Sequence, residues 1–217
     1  MKRKPVLYLI LAVLIIGAAA IGYYFWYQST HYVKSDDARI TGDQYKVMPQ
    51  IAGAYTHIFA NEGDQVQQNE AIAQQDTSNL DPSMVPKAVV RAPITGTVIK
   101  VFNKVNEIGS PGQPVALMMD MNNLYVSANI EETYIGSLQL GQPVDITIDT
   151  QNGLTLTGKV RKIGDASNST FSLVPAVNTS GNFNKVTQRI PIEISLKRPA
   201  NLKLIPGTNV EIKIHIR

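Results

Sequence analysis

The sequence predicts a mainly β protein: an N-terminal transmembrane helix, then a β-sandwich built from a repeated half, then a C-terminal antiparallel β-barrel. Three observations predict this. The run Val6–Trp26 carries no charged side chain. The stretch from Ile51-Ala52-Gly53 to Asp64 returns as Ile94-Thr95-Gly96 to Glu107 at a constant offset, without a gap. Beyond Asp120, four segments alternate apolar and polar residues with a period of two.

The helix comes first. About 20 apolar residues at ~1.5 Å each span the ~30 Å hydrocarbon layer, so residues 5–27 are predicted to be a signal anchor after a short N-terminus, 1–4. Lys2, Arg3 and Lys4 precede it, and no basic residue follows until Lys34. The positive-inside rule therefore places the N-terminus in the cytoplasm and the bulk of the chain outside, as a single-pass protein of the cell membrane. Tyr23, Tyr24, Phe25, Trp26 and Tyr27 read as an aromatic belt. A cleaved signal peptide ending near Ala18-Ala19-Ala20 is the rival reading, and it also places the body outside the cytoplasm. A lone helix without an ionisable group has no means of relaying ions, so any pumping must come from another chain.

Residues 28–43 are polar and aperiodic and read as a linker, with Asp36-Asp37 as turn or cap formers. The repeat places the sandwich at 44–120. Ile51 aligns with Ile94, Gly53 with Gly96, Ile58 with Val101, Phe59 with Phe102 and Ile72 with Val115. Neither half can bury a core alone, but the two can bury one between them. Phe59 and Phe102 are expected to pack inside as symmetry mates. His57 aligns with Lys100, so that position is expected to face water. Asn69 aligns with Gly112, both tolerant of a left-handed backbone. Residues 77–87 contain two prolines and read as a short loop between the halves.

Residues 121–217 make the barrel. Leu124, Val126, Ala128 and Ile130 share one face of a strand; Val144, Ile146 and Ile148 share another. Ile190, Ile192, Ile194 and Leu196, and Val210, Ile212, Ile214 and Ile216, repeat the pattern. Leu154, Leu156, Gly158 and Val160 begin a strand whose phase slips before Ile163, predicting a bulge near Arg161. Glu131–Leu140 reads as a short helix ended by Gly141. Strands with one apolar face close most economically as a small barrel.

The net charge of +3 is carried by Lys2, Arg3 and Lys4, so the rest is formally neutral. That argues against a nucleic-acid partner. There is no cysteine, hence no disulfide, thiolate metal site or catalytic thiol. His31, His57 and His215 are scattered and read as solvent-exposed. No catalytic residue, cofactor site or metal site is identified. Asn168-Ser169-Thr170 and Asn178-Thr179-Ser180 match the glycosylation sequon, which matters only in a eukaryotic secretory pathway. The long connection 171–189 mixes Phe171, Leu173 and Phe183 with Asn and Gly, then Lys185, Gln188 and Arg189. Aromatic and Arg residues on a long loop suit a protein contact; an ordinary hairpin is the alternative.

Four stretches carry a resemblance. They are Ser35-Asp36-Asp37-Ala38 leading to Gly42-Asp43-Gln44; Ile51-Ala52-Gly53 through Glu62-Gly63-Asp64-Gln65-Val66; Arg91-Ala92-Pro93-Ile94-Thr95-Gly96; and Phe171-Ser172-Leu173-Val174-Pro175 through Gln188-Arg189-Ile190-Pro191. With them the chain resembles the HlyD-type membrane fusion proteins, or periplasmic adaptors, nearest the EmrA-like branch. The resemblance implies a lipoyl-like sandwich (a barrel-sandwich hybrid) before the barrel. It implies a multidrug or small-molecule efflux adaptor, a membrane transporter of the major facilitator type as partner, and homo-oligomeric assembly. The long α-helical hairpin that usually separates the lipoyl halves has no room between Asp76 and Ala88, so docking to an outer-membrane channel does not carry over; either the host has a single membrane, the favoured reading, or the hairpin was removed from a longer protein. A swinging-arm carrier is disfavoured, because Lys87, the only lysine of the loop, follows Pro86 rather than Asp or Met. The remaining alternative is a membrane-tethered envelope protein without a pump partner.

Overall fold

A computed structural model describes residues 3–151, 153–171, 187–197, 199 and 202–216. Helix α1 runs Arg3–His31, past the expected limit at Tyr27. Ser29 and Thr30 return their hydroxyls to the Trp26 carbonyl (3.1 and 2.8 Å), and the His31 ring stacks on Tyr27. Within α1, Leu11–His31 is long and apolar enough to cross a membrane.

Strand β1, Tyr32–Thr41, follows at once. Most of the expected linker is therefore strand. Val33, Ala38 and Ile40 are buried, but the pairing register shifts between Ser35 and Ala38. The bulge at Asp36-Asp37 flips the inward phase in mid-strand, which is why no alternation shows in the sequence.

The first compact unit, Thr41–Leu124, is the sandwich. Its strands are β2 (Gln44–Val47), β3 (Gly53–Ile58), β4 (Gln65–Val66), β5 (Ala71–Gln75), β6 (Val89–Arg91), β7 (Gly96–Val101), β8 (Ile108–Gly109) and β9 (Ala116–Met119). Two four-stranded sheets form, ordered β2-β9-β7-β4 and β6-β5-β3-β8. Each sheet takes its two central strands from one half of the repeat and both outer strands from the other. The loop hydrogen bonds repeat the exchange. Gly63 N donates to Val98 O as Asn106 N donates to Tyr55 O, both at 2.8 Å. Asp64 accepts from Asn61 N at 2.8 Å as Glu107 accepts from Lys104 N at 2.9 Å. Asn69 and Gly112 both have positive φ, 69° and 90°, as do Gly63 and Asn106, 94° and 74°.

The core between the sheets contains Val47, Tyr55, Ile72, Val90, Val98, Val115 and Met118. Phe59 and Phe102 do not belong to it, contrary to the sequence expectation: they are 53% and 47% exposed. A bulge accounts for this. The register of β3 shifts between Tyr55 and His57, and that of β7 between Val98 and Lys100, the equivalent place. Past each bulge the faces exchange, so Ile58 and Val101 pack on the core while Phe59 and Phe102 turn out. His57 is exposed, as expected, and its ring lies parallel to that of Phe59 at 5.9 Å; Lys100 Nζ stands 5.9 Å from the Phe102 ring. Phe102→Ala is accordingly expected to cost under ~1 kcal/mol in thermal unfolding. Ile72→Ala, at a position with no exposure, is expected to cost about 2–5 kcal/mol.

Gln75 is the buried polar side chain of this core. Its Nε2 donates to the carbonyls of Ile51 (3.1 Å), Gly53 (3.2 Å) and Gly109 (3.3 Å), fastening β5 across β3 to β8. The 77–87 segment is a chain of turns closing in a 3₁₀ turn, Val85–Ala88. Asp76 and Asp81 each accept from the hydroxyl and backbone N–H of the serine two residues on, Ser78 and Ser83. Those bonds, the hydroxyl foremost, hold both carboxyls below the usual carboxylate range.

The second unit, residues 1–40 with 125–217, contains the barrel. Its further elements are β10 (Tyr125–Glu131), α2 (Glu132–Ile135), β11 (Pro143–Ile148), β12 (Leu154–Ile163), β13 (Arg189–Leu196) and β14 (Asn209–His215). The strands close in the order β1-β10-β13-β12-β11-β14. Val126, Ala128 and Ile130 from β10 point inward, with Val144, Ile146 and Ile148 from β11. The slip expected near Arg161 is present, between Val160 and Lys162. The expected 131–140 helix is only the single turn α2, followed by further turns to Gly141. His215 is not simply solvated: it is half-buried, with Nε2 2.7 Å from Asp145 Oδ2. The closed ring matters to the site because its bulged strand β1 and strand β13 both flank β10.

Candidate functional site

Of the contact residues named from the sequence, Leu173, Phe183 and Lys185 lie outside the described residues. Phe171 ends a 3₁₀ turn, Asn168–Phe171, that leads into that segment. Gln188 and Arg189 mark the return, where β13 begins.

Both feet of the segment stand on one patch of the barrel. At the departing foot, Asn168 Nδ2 donates to Asn129 Oδ1 of β10 at 2.8 Å. At the returning foot, Arg189 forms an ion pair and hydrogen bond with Asp37, in the bulge of β1. Ser35 ties the two together: its hydroxyl donates to the Asn129 carbonyl at 3.0 Å and accepts from Asp37 N at 3.2 Å. The Gln188 carbonyl accepts from Glu132 N at 2.9 Å, fixing the start of α2 beside it. Residues far apart in the chain thus meet because β1 and β13 flank β10. The bulge supplies the geometry: it frees Asp36 and Asp37 from regular pairing and turns Asp37 toward Arg189.

The Asp37–Arg189 pair is about half exposed on each side, 44% and 48%. Exposed ion pairs contribute ~0–1 kcal/mol, too little to explain the pair as a stability device. What it can do is fix where the chain rejoins the barrel. Beside it lie two shallow hollows of about 170 and 220 Å³, both lined by Asp36 and Asn129. Sequence reasoning had Arg189 but missed Asp37, Asn129 and Asn168. The signal for Asp37 was present, since Ser35-Asp36-Asp37 and Gln188-Arg189 both belong to the stretches that carry the family resemblance. Asn129 and Asn168 are ordinary polar residues with no such signal.

Among the described residues no group of three His, Asp or Glu side chains converges as metal ligands would. His31 stacks on Tyr27, His57 on Phe59, and His215 faces Asp145.

Residues 123–215 match the AAEA-like beta-barrel domain. A Bacillus subtilis (strain 168) protein, YhbJ, named provisionally as an efflux system component, is 37% identical over 188 residues, covering 86% of this chain and 81% of that protein. The colistin resistance protein EmrA of Acinetobacter baumannii is 36% identical over 147 residues, which are 66% of this chain but 42% of the relative's length. Among solved structures, the membrane fusion protein Spr0693 from Streptococcus pneumoniae R6 superposes with a TM-score of 0.60 at 15% identity. The superposition covers 84% of this chain and 97% of that one, and is a likeness of fold alone.

Proposed function

Since the chain belongs to the EmrA-like branch of the membrane fusion proteins, we propose that it is the membrane-anchored adaptor subunit of a multidrug or small-molecule efflux system. It acts by contact. Helix α1 holds it in the membrane with the N-terminus cytoplasmic and the barrel and sandwich outside, which raises its effective concentration near the pump. Its partner is a transporter of the cytoplasmic or inner membrane, of the major facilitator class, and copies of the chain associate with one another. The contact residues are Phe171, Leu173, Phe183, Lys185, Gln188 and Arg189.

The observation that supports this best is the shared footing of the 172–186 segment. Asp37, Asn129 and Ser35 hold the residues that flank it, Asn168 and Arg189, on one strand trio. A connection footed in this way departs from and returns to one patch of the barrel, and aromatic and Arg side chains are the usual anchors of interfaces.

The test is co-purification of the full chain with its transporter and with a differently tagged copy of itself. Phe171→Ser with Phe183→Ser is expected to leave the barrel folded and to reduce capture about tenfold or more, the loss of one or two interface anchors. Drug resistance should fall with it. A double variant that folds, inserts and captures its partners fully would reduce the segment to a mere connection.

A further inference from the structure

Away from the end of α1, the outer face of the barrel changes chemistry row by row. Register fixes the rows. Tyr32 of β1 lies opposite His215 of β14, and Lys34 lies opposite Lys213; beyond them on β14 comes Glu211, opposite Thr147 of β11. The buried Val33, Ile212 and Ile214 between these positions show that the named side chains point outward. No residue separates α1 from β1, and Ile216 N donates back to the His31 carbonyl at 3.0 Å. The start of β1 and the end of β14 are therefore both fastened to the end of α1. The order outward from it is an aromatic and His row, a lysine row, and then acid.

The lysine row is unusual. Like charges directly opposite on antiparallel strands destabilise a sheet, and neither Lys34 nor Lys213 makes a salt bridge among the described residues. The acid across from Lys213 on β11 is Asp145, but its carboxylate faces His215 Nε2 at 2.7 Å. Lys213 instead places Nζ 3.7 Å from the centre of the Tyr32 ring. Two ammonium groups thus share one register position, and neither has a salt-bridge partner among the described residues.

Depth decides what could supply a counter-charge. At ~1.5 Å per residue, the 29 residues of α1 cover about 43 Å. That is the thickness of a bilayer including both headgroup layers, ~40–45 Å. The Tyr32 row then lies at the outer edge of the headgroups, with the lysines one row further out and stems long enough to reach back. We infer that Lys34 and Lys213 bind the phosphate of an anionic phospholipid headgroup and seat the base of the barrel on the membrane surface. Asp36 and Glu211, which line the same hollow of about 420 Å³, limit the site on the side away from the membrane by repelling phosphate. The inference rests on the anchor reading of α1.

The full chain, reconstituted in phosphatidylcholine bilayers, is probed with spin-labelled phosphatidylglycerol or phosphatidylcholine. The motionally restricted fraction gives the preference for the anionic lipid. Lys2, Arg3 and Lys4 are common to every variant. The preference at this site is expected to fall about fivefold for each lysine removed, in K34Q and again in K34Q/K213Q. It should persist in K34R/K213R and weaken with salt. Should the double variant fail to fold by near-ultraviolet circular dichroism, K34Q at the exposed position carries the test. Millimolar inorganic phosphate at constant ionic strength should not compete. Competition by phosphate would assign the site to a free anion and overturn the lipid. If the wild-type chain inserts and K34Q and K34Q/K213Q keep its full preference, the inference alone is overturned, whereas a wild-type chain that fails to insert overturns the anchor with it.

Discussion

Replacing Gly158 by alanine is expected to break the barrel. Gly158 lies in β12 opposite Val144 on one side and Leu196 on the other. A Cβ there would sit 2.2 Å from the Ser195 carbonyl oxygen and 2.9 Å from both Ile146 Cδ1 and Ile194 Cγ2. The nearest atom is backbone of a neighbouring strand, so no rotamer change relieves the clash; β12 and β13 must separate, or the inward layer must shift. Overpacking of this kind costs ~1–3 kcal/mol when side chains give way, and more when they cannot. An expected cost of about 4 kcal/mol would consume much of a typical 5–15 kcal/mol stability. For a unit of this size the melting midpoint should fall by roughly 15 °C or more, if folded protein is recovered at all. Gly136→Ala is the matched control, because a Cβ there meets nothing within 4 Å. A Gly158→Ala chain that melts within a few degrees of its parent would refute the close approach of the strands.

The second large effect lies in the sandwich and tests the strand exchange itself. In the sheet that pairs β3 with β8, Tyr55 is 1% exposed and Gly109 makes room for it: a Cβ at Gly109 would lie 2.0 Å from the Tyr55 hydroxyl. In the other sheet the repeat puts Val98 at the place of Tyr55 and Val66 at the place of Gly109, and both valines are buried. One sheet divides the same space as large and nothing, the other as medium and medium. Gly109→Val should therefore cost about 3 kcal/mol or more, since the ring has nowhere to go. Tyr55→Val should cost a comparable amount through the cavity it leaves. The double substitution copies the Val98 and Val66 arrangement, and its loss should be smaller than the sum by ~2 kcal/mol, a coupling typical of residues in contact. Thermal or denaturant unfolding of the four chains measures the cycle. Strict additivity would mean that the two halves are not equivalent in the way their register implies. Tyr55 also shows what the larger choice entails. Its buried hydroxyl has no hydrogen-bond partner among the described residues, and burial raises its pKa.

The failures of sequence reading have a common cause. Period-two alternation reports the inward face only while the register is unbroken. In β12 the slip could be seen, because apolar residues stand on both sides of Arg161. In β1 it could not: the bulge falls on Asp36-Asp37, and only Val33 precedes it to set the phase. In β3 and β7 the alternation Tyr55, His57, Phe59 looks regular, yet the bulge after Tyr55 sends His57 and Phe59 out together. The repeat reproduces this in β7, so aligning Phe59 with Phe102 established that the two are equivalent without establishing which way they face. The turns were easier, because Asn69, Gly112, Gly63 and Asn106 carry their backbone conformation in their residue type. The candidate site was legible at one end only. Arg189 could be named as a contact residue, but its partner Asp37 could be found only by closing the barrel.

The exchanged strands also bear on how such a chain could change its reach. Each sheet is completed by strands of the opposite half, and residues 81–87, between β5 and β6, stand exposed. There β5 and β6 run side by side, Gln74 opposite Val89, so the segment leaves and re-enters the sandwich at neighbouring points. A graft at this place closes on itself and asks nothing of the core. Added length costs only loop entropy, which grows with the logarithm of the number of residues. The sandwich is thus a socket: what stands between Gln75 and Val89 can be lengthened or cut back at one address, while the strands that hold the socket together stay the same.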